Sequence, residues 1–258
     1  MSANAHADAQ EACFSLLSPT TIFKFPTTGT FYLASQEAMI ATDSVSIGTF
    51  KFTPSVVAPL PTNQPSLTPL ARKPLGKSRH KDFRTLLLTG SERHGVFLLV
   101  YAIDNDSPPR MRLYDRSLYE YDILDLKKGG PTVAACFNEK TQEVTLLSSR
   151  GWVDCYNLRS VSSDALSSFK MSRRKHFRLS PNFIETDSEE RKFTSMTVPS
   201  LGTLAYVSTS RSIYVVSLIN SDIMYKISPV PSTSEITSLK YVPNTSLLVA
   251  LGKNEGNK

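Results

Sequence analysis

The chain predicts an all-β fold assembled from a repeated unit, and three observations carry that prediction. Residues 133–151 lie over residues 193–211 without a gap, each reading as a strand, a polar turn and a second strand. A third copy opens at Ile236 and runs to Gly252 in the same pattern. No stretch carries four turns of amphipathic helical periodicity. One strand–turn–strand unit cannot bury its apolar face alone, so it needs a neighbour of the same kind. The expected architecture is therefore an array of small sheets rather than one sheet around one core.

Taken in order, residues 1–20 are polar and rich in Ala at their start, and read as a disordered tail. Within 21–52, Thr21-Ile-Phe-Lys-Phe25, Thr30-Phe-Tyr-Leu-Ala34 and Gly48-Thr-Phe-Lys-Phe52 read as short strands of a first, partial unit. Residues 53–84 carry Pro54, Pro59, Pro61, Pro65, Pro69 and Pro74 and end in a basic run. Prolines at this density withhold ladder donors and favour extended chain, so this segment is expected to be a linker or long surface loop. Residues 85–258 hold the main array. Thr85-Leu-Leu-Leu-Thr-Gly90, a turn at Ser91–Gly95 and Val96–Ile103 form a nearly continuous apolar run, as in strands covered on both faces. Met111–Tyr114 and Leu118–Leu124 add further strands. Residues 159–191, rich in Ser, Arg and Glu with little periodicity, are expected to form a long loop.

Composition narrows the class. At 40% hydrophobic and 20% charged residues the chain has the make-up of a folded soluble protein, and no apolar run approaches a membrane span. Met1 to Glu11 has neither a basic n-region nor an apolar h-region, which argues against a secretory signal. Cys13, Cys136 and Cys155 cannot all pair, and the last two occupy apolar strand positions. Reduced thiols are expected, as in the cytosol or nucleus, and the location expected is the cytoplasm, the periphery of its membranes included. The net charge of +6 is concentrated in Arg72-Lys73, Lys77–Lys81 with Arg84, and Arg173–Arg178. Lys77, Arg79, Lys81, Arg173, Arg174 and Lys175 are the candidate partner-binding residues, suited to an acidic protein, an anionic membrane or nucleic acid. Ser78 and Ser172, each beside such a run, are candidate phosphosites whose modification would offset the local positive charge.

Signs of catalysis are missing from the sequence. Ala71-Arg-Lys-Pro-Leu-Gly-Lys-Ser78 fits a loose phosphate-loop pattern, but the following residues are charged and do not open a helix. His6, His80, His94 and His176 are scattered, with no metal-ligand spacing, and no nucleophile elbow occurs. Glu189-Glu190 and Asp122 with Asp125 read as surface charges. No enzyme activity, cofactor, metal or small-molecule substrate is expected. Trp152, the single tryptophan, is expected between sheets.

The ends of the units carry a resemblance. Arg150-Gly-Trp-Val-Asp-Cys-Tyr-Asn-Leu158 and Ser210-Arg-Ser-Ile-Tyr-Val-Val-Ser-Leu218 resemble the closing strand of WD repeats, with Tyr156-Asn157 and Val216-Ser217 at the Trp-Asp position. The resemblance implies a partial WD-type β-propeller of about four to five blades. Its third copy breaks off at Gly252–Lys258, so a truncated chain, or one completed by another polypeptide, is expected. Leu86-Leu-Leu-Thr-Gly-Ser-Glu92, Leu204–Leu218 and Ile236–Tyr241 are similar, in that order, to blade segments of the lethal giant larvae and tomosyn family. That resemblance implies a non-enzymatic scaffold that binds SNARE proteins and regulates exocytosis and cell polarity. The competing reading is an RNA- or ribosome-assembly-associated WD protein using its basic loops. Only Phe83 and Phe177 stand near those runs to stack on bases, which makes nucleic acid the less favoured partner.

Overall fold

The computed structural model describes residues 28–53, 66–75, 83–103, 108–125, 131–163, 166–179, 192–227, 234–242, 245 and 247–254. They form eighteen strands and one short 3-10 turn at Ala34–Gln36. The first sheet holds β1 (Gly29–Leu33), β2 (Ala38–Thr42), β3 (Ser46–Thr53) and β4 (Ser66–Pro74). The second holds β5 (Arg84–Ser91), β6 (Val96–Ala102), β7 (Arg110–Tyr114) and β8 (Glu120–Asp125). The third holds β9 (Thr132–Asn138), β10 (Glu143–Ser148), β11 (Trp152–Ser163) and β12 (Leu166–Arg178). The fourth holds β13 (Phe193–Thr197), β14 (Leu204–Thr209), β15 (Ile213–Ser217) and β16 (Asp222–Ile227). The fifth pairs β17 (Ser234–Val242) with β18 (Leu247–Asn254).

Each sheet is an antiparallel meander in chain order. The first strands of successive sheets stand side by side, β1 by β5, β5 by β9, β9 by β13 and β13 by β17. The sheets thus radiate from a common row of first strands, which is the arrangement of a β-propeller. In all four complete sheets the register slips once between the third and fourth strands. Such bulges raise local twist and splay the outer strand.

The core lies between sheets, and strand alternation explains it. Along β6, Phe97, Leu99 and Tyr101 pack on Leu33, Ile40 and Ile47 of the first sheet. Val96, Leu98 and Val100 point the other way, onto Val144, Leu146 and Leu158 of the third. Every residue of β6 is therefore buried, and its sequence is an unbroken apolar run. Leu147, Val153 and Cys155 repeat the pattern against Phe193, Val207 and Val216 of the fourth sheet. Ile213 with Ile236 and Leu239 joins the fourth to the fifth.

The three aligned copies correspond to β9–β10, β13–β14 and β17–β18, as the repeat predicts. Two expected boundaries are corrected. Within the expected linker at 53–84, Ser66–Pro74 forms β4, which completes the first sheet as its outermost strand. An edge strand tolerates Pro69 and Pro74 because the ladder asks fewer donors of it. Within the expected loop at 159–191, β11 continues to Ser163 and β12 covers Leu166–Arg178. β12 is also outermost. Phe169 and Met171 turn inward while Lys170 and Ser172 face solvent, so its apolar periodicity is thin. The expected tail at 1–20 and the strand reading at 21–25 lie outside the described residues.

Candidate interaction surfaces

The second- to third-strand turns show how the sequence builds rigid edges. Asp43 accepts from the Val45 and Ser46 amides through Oδ1, at 2.8 and 2.6 Å. Ser148 Oγ accepts from the Trp152 amide at 2.9 Å, and Thr209 Oγ1 from the Ser212 amide at 3.1 Å. Short polar side chains at these positions replace ladder bonds that the turning backbone gives up.

The opposite ends of the sheets are latched to one another. The Glu92 carboxylate accepts from the Ala34 and Ser35 amides, each at 2.8 Å. Glu139, one sheet later, accepts from the Arg93 amide at 3.1 Å. Asn138 Nδ2 then donates to the carbonyls of Pro199 and Ser200 at 2.9 and 3.1 Å. The turns of the first four sheets are thus tied in series, giving a stiff frame on which exposed side chains keep fixed positions.

Lys77, Ser78, Arg79 and Lys81 lie outside the described residues. Arg173, Arg174 and Lys175 sit on β12, where the bulge opposite Cys155 and Tyr156 sends them three ways. Arg173 Nε pairs with Asp154 Oδ1 at 2.9 Å, and Arg174 Nη1 with Glu143 Oε2 at 2.9 Å. Lys175 Nζ donates to the carbonyls of Leu218 and Ile219, at 2.6 and 2.7 Å, bridging to the fourth sheet. Three cations contiguous in sequence therefore do not form one free patch. Ser172 is exposed, opposite Asn157.

Trp152, expected between sheets, is half-buried. Its ring stacks on His176 of its own outermost strand, with centroids 4.6 Å apart, and Arg178 approaches to 5.8 Å. His176 Nδ1 in turn meets Asp154 Oδ1 at 2.8 Å. The cross-strand pairs Trp152–Arg178 and Asp154–His176 place all four side chains on one face of the hairpin.

A second aromatic group had no sequence signal, because its members come from different sheets. Tyr119 packs edge-on against Tyr121 at 5.2 Å, and Tyr121 against Phe169 at 5.1 Å. His94 closes the row on Phe169 at 5.5 Å. Tyr119 remains 65% exposed at its end. Burial, followed by the charge of Arg93, holds the His94 pKa below its ordinary value, with Glu139 opposing.

The remaining sequence features have structural places. The loose phosphate-loop pattern begins inside β4, at Ala71–Pro74. Cys136 and Cys155 are pushed up to about 12 by burial, so their thiols stay protonated and weakly nucleophilic. His94 and His176 stand in different sheets, and no group of three or more His, Cys, Asp or Glu fit to hold a metal occurs among the described residues. Asp122 and Asp125 belong to β8, while Glu189-Glu190 lies outside the described residues. Among the described residues no helix is long and apolar enough to cross a membrane.

No family model matches the sequence, and no curated protein matches it. Solved structures do. The β-propeller domain of Cps50 (Swd1) from Myceliophteria thermophila is similar over 89% of this chain and 68% of its own length, with a TM-score of 0.60 and 12% identity. A functionally unknown protein from Desulfotomaculum acetoxidans DSM 771 is similar over 89% of this chain and 63% of its own, with a TM-score of 0.58 and 11% identity. The chain thus spans less than two thirds of the second and slightly more of the first. At such identities the likeness is one of fold, and that fold is the β-propeller.

Proposed function

We propose that the chain is a non-enzymatic, cytoplasmic scaffold that binds other proteins on the rim of its propeller. The observation that carries this reading is the Tyr119–Tyr121–Phe169 row, an aromatic anchor partly exposed on a frame whose turns are latched together. Tyr is enriched at the energetic centres of protein interfaces, and a rigid mount lowers the entropy lost on binding. Propellers present many such loops and edges at once, which suits a platform for several partners. The internal pairing of Arg173, Arg174 and Lys175 leaves less free charge for a phosphate backbone, which favours protein over RNA.

The finer reading is a SNARE-binding regulator of exocytosis and cell polarity. It is supported by the likeness of Leu86–Glu92, Leu204–Leu218 and Ile236–Tyr241 to lethal giant larvae and tomosyn segments. The test is a pull-down of purified SNARE cytosolic domains on the immobilised chain, beside a Tyr119→Ser variant. Capture by the wild type with loss in the variant is expected. No capture by the wild type removes the SNARE reading, and equal capture by both removes the aromatic row as the anchor.

A further inference from the structure

The scaffold reading leaves open which partner chemistry the rim accepts, and the first two sheets carry a groove that bears on it. It has a volume of about 490 Å³ and is bounded by Glu37, Lys51, Leu70, Ala71, Arg116 and Ser117. Its walls come from the β1–β2 turn, from β3 and β4, and from the β7–β8 turn of the next sheet.

The groove is preformed. Thr49 Oγ1 donates to the Arg116 carbonyl at 2.6 Å, tying the second sheet's turn to the first sheet. Asp115 Oδ1 accepts from the Ser117 and Tyr119 amides at 2.7 and 2.9 Å, and the Leu118 amide donates to the Asp115 carbonyl at 3.0 Å. Leu118 itself is buried between the two sheets. The turn that carries Arg116 is therefore held from both sides.

Its charges differ from those of β12. Arg173, Arg174 and Lys175 each meet an acceptor of their own fold, whereas the side chains of Lys51 and Arg116 have no ion-pair partner among the described residues. Glu37 is the one carboxylate on the lining, so the groove carries a net charge of about one positive unit. Leu70, 48% exposed on the outermost strand, gives it an apolar floor. Two free cations flanking an exposed leucine match an extended chain whose carboxylates flank an aliphatic side chain.

We propose that this groove binds an extended acidic segment of a partner protein, its carboxylates on Lys51 and Arg116 and one aliphatic side chain on Leu70. The inference rests on the protein-scaffold reading and adds the partner's chemistry and the place where it docks. Lys51 and Arg116 supply encounter rate and salt sensitivity, and Leu70 supplies the buried contact.

The probe is a fluorescein-labelled Asp-Glu-Leu-Glu-Asp peptide, followed by anisotropy on the full chain beside its Asn-Gln-Leu-Gln-Asn analogue. Binding of the acidic peptide alone is expected, weakening as salt rises. Lys51→Glu with Arg116→Glu should weaken it by roughly tenfold or more. Leu70→Ser should weaken it several-fold, and Arg173→Glu with Arg174→Glu should leave it unchanged. If the charge-reversal pair fails to fold, Lys51→Gln with Arg116→Gln is read instead. Equal binding by the groove variants and the wild type overturns the proposal, as does equal loss in the β12 variant. A wild type that does not bind at about 1 mM peptide, a level where even weak contacts register, also overturns it. None of these outcomes bears on the SNARE reading or on the Tyr119 anchor, which the pull-down and its Tyr119 variant decide separately.

Discussion

Trp152 and His176 stack face to face across β11 and β12, with ring planes 3° from parallel. Because Trp152 is the only tryptophan, its emission reports this one contact. His176→Ala removes the stacked ring and admits water to the indole face. A red-shifted emission is expected, with a stability loss of about 0.5–1.5 kcal/mol, the range for an aromatic pair. Emission spectra with a urea titration would check both, and an unchanged spectrum would show that the stack does not persist in solution.

Gly151 fixes the turn that delivers Trp152 to its strand. Its φ of +80° is one that L side chains rarely adopt, and an added Cβ would stand 2.7 Å from the Phe193 ring. Its carbonyl also accepts from the Leu179 amide at 2.9 Å, so the backbone cannot simply swing away. Gly151→Ala should cost about 1–3 kcal/mol. Part of that cost is steric and part is conformational, and a double-mutant cycle separates them. Adding Phe193→Leu should recover the steric part, giving a coupling that thermal denaturation of the four proteins would measure. Strict additivity would show that Phe193 plays no part.

His94 makes stability depend on pH in a defined direction. Its folded-state pKa lies below the ordinary 6.5, chiefly through burial and then through Arg93, while Glu139 opposes the shift. As pH falls, the unfolded chain takes up this proton before the folded one does. The contribution to stability is therefore present above the unfolded value and lost as pH falls toward and through the folded one. Tm of the wild type should drop more than that of His94→Gln between about pH 7.5 and about pH 5.5. Parallel Tm curves for the two proteins would refute the assignment.

What the sequence made legible follows from which strands are covered twice. β6, β10 and β15 are buried along their whole length, so they read as strands directly. β4 and β12 are outermost and have fewer residues to bury, so Pro69 and the Arg173–Arg178 run masked their strand character. The bulge opposite Cys155 and Tyr156 leaves no mark in the sequence, yet it separates Arg173 from Lys175 and dissolves the patch they suggest. The Tyr119–Phe169 row and the Lys51–Arg116 groove each join two sheets, and pairings of that kind arise only once neighbouring sheets pack.

The edge of β18 sets how this chain behaves at high concentration. Among the described residues β18 pairs only with β17, and no other described strand adjoins the far side of its ladder. Leu247 and Leu251 are 59% and 61% exposed, and Val249 lies exposed between them on the same face. Met224, Tyr225 and Ile227 of β16, the outermost strand of the fourth sheet, are exposed as well. A long apolar edge of this kind recruits other strands, and inward-pointing or edge lysines are the usual deterrent. The 258-residue chain should therefore self-associate as its concentration rises, and Val249→Lys with Leu251→Lys should hold it monomeric. Tyr119→Ser, which removes an exposed aromatic from a different sheet, should leave the association unchanged. Sedimentation velocity over a concentration series distinguishes these outcomes. Equal association of the lysine variant and the wild type would place the contact elsewhere, whereas loss confined to that variant assigns it to β18.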